Sequence, residues 1–312
     1  MSKKVYGIDL GTTYSCIACV DEHGKPVIYN NMEGQATTPS VVYFDESGEI
    51  VVGQAAKEEA SLHPGRVVDS VKRAMGDANW EKEIDGEIYN PQRISSYILR
   101  KLVNDVRDQF GEEVEDVVIT CPAYFGPTEK EATKQAGELA GLNVRYVIPE
   151  PTAAAVSYGM ELGEEEGQTV LVYDLGGGTF DVTLIEISTN AIKVIGVGGD
   201  KELGGKDWDE LIVEHLAEQF ANETGESADA LLNDAEMCAE LFKMAEEAKV
   251  SLSSKSSVKK SIRYGMGHAV VELTREQFDG LTRSKLERTI SLTREMLDEA
   301  RQSGHDRLDT IL

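Results

Sequence analysis
Asp9-Leu10-Gly11-Thr12-Thr13-Tyr14 and Asp174-Leu175-Gly176-Gly177-Gly178-Thr179-Phe180-Asp181 are two versions of one turn, set 165 residues apart. Val5-Tyr6-Gly7-Ile8 leads into the first and Thr169-Val170-Leu171-Val172-Tyr173 into the second, and a β-branched or alternating run follows each, at 15–20 and 180–187. The pattern predicts strand, tight turn, strand, with an aspartate where the first strand ends. Glycine lets the backbone turn sharply and come close to a ligand, threonine amides and hydroxyls can donate to phosphate oxygens, and the aspartate can hold a hydrated cation. One glycine-rich hairpin is usually only a hairpin. Two at matched positions of a duplicated chain can close on one polyphosphate from both sides.

Working outward, strand signals at 25–29 and 41–44 extend the first copy into a β-meander. Ile98, Leu99, Leu102, Val103 and Val106 predict a helix over 95–110, followed by a buried-type strand at 117–120. Thr128 and Glu131 have the spacing of a capping box before Ala132, Ala136, Leu139 and Ala140, with Gly141 as the stop. A strand at 144–148 then leads to a small-residue helix near Pro151. The second copy has a helix through Trp208, Leu211, Ile212, Leu216 and Phe220, an acidic helical stretch at 228–252, a strand pair near 261–273, a helix over 286–300 and a closing strand at 308–312. These predict a two-lobed α/β protein. Lobe I takes 1–167 with a small inserted subdomain at about 39–91, and lobe II takes 168–312 with an inserted helical subdomain at about 206–284. Compared with the first copy, lobe II is expected to be incomplete, its C-terminal part missing.

Across 312 residues, 31 Lys and Arg stand against 56 Asp and Glu, a formal charge of −25. Such a surface repels phosphate backbones and anionic lipid, which argues against nucleic-acid and membrane-surface roles. No apolar run approaches the roughly 20 residues of a bilayer span. The start, Met1-Ser2-Lys3-Lys4-Val5-Tyr6-Gly7-Ile8-Asp9, reaches an acid before a signal-peptide core forms, so the expectation is a cytoplasmic protein. Cys16 and Cys19 form a C-x-x-C inside a strand-like run. There they would face opposite sides about 10 Å apart and behave as buried small residues rather than as a redox or zinc pair.

A polyanion bound to so acidic a chain needs local positive charge. A divalent cation between carboxylates supplies part, and Lys72 or Lys249 can supply the rest. Glu150, between Pro149 and Pro151 at the mouth of a helix, reads by itself as a helix N-terminal acid.

Taken in order, five stretches resemble the nucleotide-binding domain of the seventy-kilodalton heat-shock chaperones, the DnaK-like family. They are Ile8-Asp9-Leu10-Gly11-Thr12-Thr13-Tyr14-Ser15, Pro122-Ala123-Tyr124-Phe125, Glu150-Pro151-Thr152-Ala153-Ala154-Ala155, Asp174 to Asp181, and Leu203-Gly204-Gly205-Lys206-Asp207-Trp208-Asp209. The resemblance implies a duplicated actin/hexokinase-like ATPase fold with ribonuclease H-like lobes, binding ATP or ADP with magnesium and potassium. Gly11, Thr12, Thr13 and Tyr14, with Gly177, Gly178 and Thr179, would be the phosphate hairpins. Asp9, Asp174 and Asp181 would hold the metal, mostly through water, and Glu150 would help arrange ions and water. Lys72 would be the catalytic lysine, acting beside Glu150, Asp174, Thr179 and Asp181. Glu246, Lys249 and Ser253 would hold the nucleotide's ribose and base, and Gly205 would also belong to the nucleotide-binding set.

The resemblance also implies coupling of nucleotide state to client binding, with a J-domain co-chaperone, a nucleotide exchange factor and unfolded client peptide as partners. An actin-like ATP-dependent filament or scaffold protein is the alternative, and a sugar kinase ranks third. The chain departs from the family pattern at Gly126-Pro127-Thr128-Glu129-Lys130, at Pro149 and at Arg145-Tyr146. Family members continue past Ile311-Leu312 into an adenosine-binding glycine segment and a client-binding domain. On this reading the chain is truncated and binds ATP weakly.

Overall fold
A computed structural model describes residues 4–162, 167–188 and 191–312. Met1 to Lys3, at the head of the stretch that argues against a signal peptide, lie outside the described residues. The first sheet runs in the order Asn143–Pro149, Asp116–Cys121, Val5–Asp9, Tyr14–Val20, Pro26–Tyr29, with Thr38–Pro39 also paired to Tyr14–Val20. The second runs Ala191–Asp200, Phe180–Ser188, Gln168–Leu175, Thr310–Ile311. The internal repeat is therefore physical. Val5–Asp9 pairs antiparallel with the strand that follows it and parallel with Asp116–Cys121, and Gln168–Leu175 pairs the same way with Phe180–Ser188 and Thr310–Ile311. Each Asp-Leu-Gly turn thus leaves the end of a central strand at the same topological point.

The first sheet buries Tyr6, Ile8 and Ile119 against Ile94, Ile98 and Leu99 of the Pro91–Phe110 helix. In the second lobe, Phe180, Val182 and Leu184 pack on Met296 and Ala300 of the Arg275–Gln302 helix. A separate cluster around Phe220, Leu241 and Ile262 joins the Gly205–Thr224 and Ala235–Leu252 helices to the Ser257–Tyr264/Gly267–Thr274 hairpin. The helix Glu150–Leu162 lies between the sheets, with Ala155 buried against Val170, Val172 and Ile185 of the second. Among the described residues, no helix is long and apolar enough to cross a membrane.

Several expectations are corrected. Val42–Phe44 does not extend the meander but joins Ile50–Val52 and Val67–Val68 in a separate sheet. Thr128 is not an N-cap: the helix starts at Pro127 behind Gly126, because proline at the first helical position has a preset φ and needs no N–H partner. The helix expected from 95 begins at Pro91, where Asn90 Oδ1 accepts the Arg93 N–H at 2.9 Å. The 228–252 stretch breaks into Ala228–Asn233 and Ala235–Leu252 because Asp234 caps the second piece, accepting the Glu236 and Met237 amides. The helix expected over 286–300 runs from Arg275 to Gln302, started by a capping box between Thr274 and Gln277. Cys16 and Cys19 lie on one strand as free thiols, as expected, but only Cys19 is buried; Cys16 is half-buried.

Candidate functional site
Small buried hydroxyls set the first turn. Ser15 Oγ accepts the Gly11 N–H at 3.1 Å, and the Ser40 hydroxyl donates to the Gly11 carbonyl at 2.8 Å. The Ser40 N–H bonds the Thr13 carbonyl, also at 2.8 Å. In the second turn the Gly176 N–H closes on the Thr179 carbonyl at 2.9 Å. The N-terminus of the Gly205–Thr224 helix grips this turn from behind, with Gly205 N–H on the Gly176 carbonyl at 2.9 Å and Lys206 N–H on the Gly177 carbonyl at 2.8 Å. That grip is why Gly204 must be small: a Cβ there would fall 2.5 Å from the Gly178 nitrogen.

The two turns meet. A Cβ on Gly177 would lie 1.8 Å from Thr13 Oγ1, and one on Gly178 would lie 2.2 Å from Thr12 Cγ2. Thr12 is buried and cannot swing away, so Gly178→Ala should overpack the contact and cost about 1–3 kcal/mol. A thermal melt should show this as a drop of a few degrees, and an unchanged melting temperature would show that the turns are not in contact in solution.

Around this contact lie Asp9, Glu150, Asp174, Asp181 and Lys72. The Thr120 hydroxyl donates to Asp9 at 2.9 Å, and the Ala123 N–H donates to Asp181 at 3.0 Å. Lys72 is buried and ion-paired with Glu150. Burial pulls its ammonium down, but Glu150 and Asp9 outweigh that and hold it above its ordinary value, so it stays charged. The acids are under the opposite pressure. Burial, then Asp9, raises Asp174, and burial, then Glu150, pushes Asp181 up to about 7 against the stabilising Ala123 N–H. The carboxylates outnumber the charge that Lys72 brings, so the group has capacity for a further cation. Among the described residues, no group of three or more histidine, cysteine or acidic side chains is close enough to hold a metal ion by itself.

The expected nucleoside-holding residues line the Ala235–Leu252 helix and its end. Glu246 accepts from Lys57, which reaches across from lobe I at 2.8 Å and also donates to the Tyr14 hydroxyl at 3.3 Å. Lys249 donates to the Gly205 carbonyl and to Asp209, both at 2.8 Å. Ser253 is the exposed C-cap, one turn beyond Lys249. Lys57, Arg73, Asp207 and Asp209 have no assigned role in the sequence reading, although the last two lie in the quoted stretch Leu203 to Asp209. Of these, Asp207 carried a local signal: an acid three positions after Gly204, where it accepts the Gly204 N–H at 2.7 Å.

Comparison with known proteins gives one answer along the chain. The family model described as Hsp70 protein matches residues 5–85 and 77–312. The chaperone protein DnaK of Halobacterium salinarum is 41% identical over 317 residues, covering all of this chain and 49% of that protein. That of Thermosipho melanesiensis is 43% identical over 320 residues, covering all of this chain and 52% of that protein. The chain spans about half the length of the curated relatives it matches. With the duplicated sheets, the paired turns and a family match along its length, the chain belongs to the Hsp70 family.

Proposed function
We propose that this chain is the ATP-binding and ATP-hydrolysing domain of a DnaK-like chaperone, working in the cytoplasm. The observation that carries the reading is the meeting of the two Asp-Leu-Gly turns, Thr12 and Thr13 against Gly177 and Gly178, beside a buried lysine that remains charged among carboxylates. The turns Gly11–Tyr14 and Gly177–Thr179 would cradle the phosphates. Magnesium, when bound, neutralises phosphate charge; Asp9, Asp174 and Asp181 fit it through intervening water, and potassium would sit in the same acidic group. Lys72 would orient the attacking water and the terminal phosphate, with Glu150 fixing its ammonium and Thr179 completing the cradle. Glu246, Lys249 and Ser253 would hold ribose and base, with Gly205 also in contact with the nucleotide. We assign lobe I to 1–167, with its insert at about 39–91, and lobe II to 168–312, with its insert at about 206–284. The partners that follow from the reading are a J-domain co-chaperone, an exchange factor and unfolded client peptide.

Titration calorimetry with ATP and ADP, with and without magnesium, tests the reading. Magnesium-dependent binding supports it, and no binding of either nucleotide overturns it. Asp174→Asn should weaken magnesium-dependent ATP binding by about tenfold or more, since water-mediated carboxylates tune metal affinity on that scale. Binding without magnesium should change little. Equal magnesium-dependent affinity in variant and parent would remove Asp174 from the metal's surroundings.

A further inference from the structure
Arg73 stands next to Lys72 in the short turn Val71–Ala74, and the two side chains serve different lobes. Lys72 pairs with Glu150, whereas Arg73 Nε donates to the Gly178 carbonyl at 2.7 Å and its Nη2 donates to Asp207 Oδ2 at 2.6 Å. That aspartate oxygen also caps the Gly204 N–H, so the fork is anchored at both tips. The second turn therefore has its three glycine carbonyls held one after another: Gly176 by the Gly205 amide, Gly177 by the Lys206 amide and Gly178 by Arg73. In a trans peptide the carbonyl and the next N–H point in opposite directions. Holding the three carbonyls outward turns the amides of Gly177, Gly178 and Thr179 to the other side, which is the arrangement of an anion nest. Two of the three holders belong to lobe II. The third comes from lobe I, on a segment that Lys206 ties across the lobes by donating to Asp69 at 2.7 Å and to Ser70 at 3.3 Å. Ser70 itself sits at φ 53°, a left-handed conformation rare for serine and found where surrounding structure imposes it.

We propose that Arg73 is a positioning residue: it sets the plane of the Gly178–Thr179 peptide, so that the Thr179 amide faces the phosphate only when the lobes are together. This rests on the reading of the turns as a phosphate site. Lobe closure would then place Lys72 and the Thr179 amide in one movement, because a single turn of chain carries both Lys72 and Arg73.

The test uses the 312-residue chain and three probes: adenosine, Mg-ADP and inorganic pyrophosphate with magnesium. Arg73→Ala should lose about tenfold in affinity for the two phosphate probes, the scale of one charged hydrogen bond, and leave adenosine within about twofold of the parent. Low, non-denaturing guanidinium should restore part of the loss in this variant and none in the parent. Arg73→Lys, which keeps the charge but cannot span both acceptors, should fall between and serves if the alanine variant does not fold. Undiminished phosphate binding in both variants overturns the role. Equal loss for adenosine and pyrophosphate also overturns it, since that is general loosening of the lobes. A parent that binds neither phosphate probe overturns instead the phosphate-site reading beneath it.

Discussion

Lys72→Ala should lower ATP turnover by about two orders of magnitude or more while ADP affinity stays nearly unchanged, because in the proposed site its buried ammonium would face the terminal phosphate and act mainly on the transition state. The geometry sharpens that expectation. Lys72 is ion-paired with Glu150 and kept charged by Glu150 and Asp9, so its position is set before any ligand arrives. Breaking a buried pair by removing one partner commonly costs about 3–5 kcal/mol, so the variant should also melt earlier. That loss is moderated if an acid of the group takes up a proton. Turnover measured well below the melting temperature separates the two effects. A hydrolysis rate equal to the parent's would take Lys72 out of the chemistry.

Asp181→Asn should act in the opposite direction on stability. The folded chain holds this carboxyl near 7, against 3.8 in its ordinary state. Between those values the folded form keeps a proton that the unfolded form has released, so stability falls as pH rises through the window and the deficit is complete above it. Asparagine carries no charge and retains an oxygen for the Ala123 N–H. At about 1.4 kcal/mol per unit, the variant should be more stable than the parent by roughly 2–4 kcal/mol at pH 8 and by little near pH 4. Melting curves at both pH values read this directly. A variant less stable at pH 8, or equally stabilised at both, would show that Asp181 is not held protonated by its surroundings. If Asp181 belongs to the proposed site, ATP turnover should fall in the same variant, stability being gained at activity's expense.

Much of the site could be read from local pattern. Asp9, Asp174, the glycines and the threonines sit in two short turns whose meaning comes from their repetition, and strand pairing places both turns at equivalent points of the two sheets. The residues that bind the lobes together had no such signature. Arg73 and Asp207 are separated by 134 positions and Lys57 and Glu246 by 189, and an ordinary surface Lys or Glu looks the same in sequence as one reaching across a cleft. The strand Ala191–Asp200 was missed for another reason. Gly196 and Gly198 weaken a strand pattern, yet they are needed because Met296 of the crossing helix lies so close: a Cβ on Gly196 would come within 3.0 Å of its sulfur. At the Pro127 helix start, the fixed φ of proline prevailed over the spacing of Thr128 and Glu131.

The helix Glu150–Leu162 carries the Lys72 partner at its first residue and the run Ala153-Ala154-Ala155 one turn later, where Ala155 is buried against the second sheet. Alanine has no rotamers to exchange and presents a nearly smooth wall. Ala155 therefore lets this helix lie close on Val170 and Ile185, and Tyr158, one turn on, fixes it there, its hydroxyl bonded to Gln168 at 3.5 Å and to Thr310 at 3.4 Å. The carboxylate that pairs with Lys72 and the contacts made on the second sheet thus ride on one rigid element, so the place of that ammonium is referred to both sheets at once.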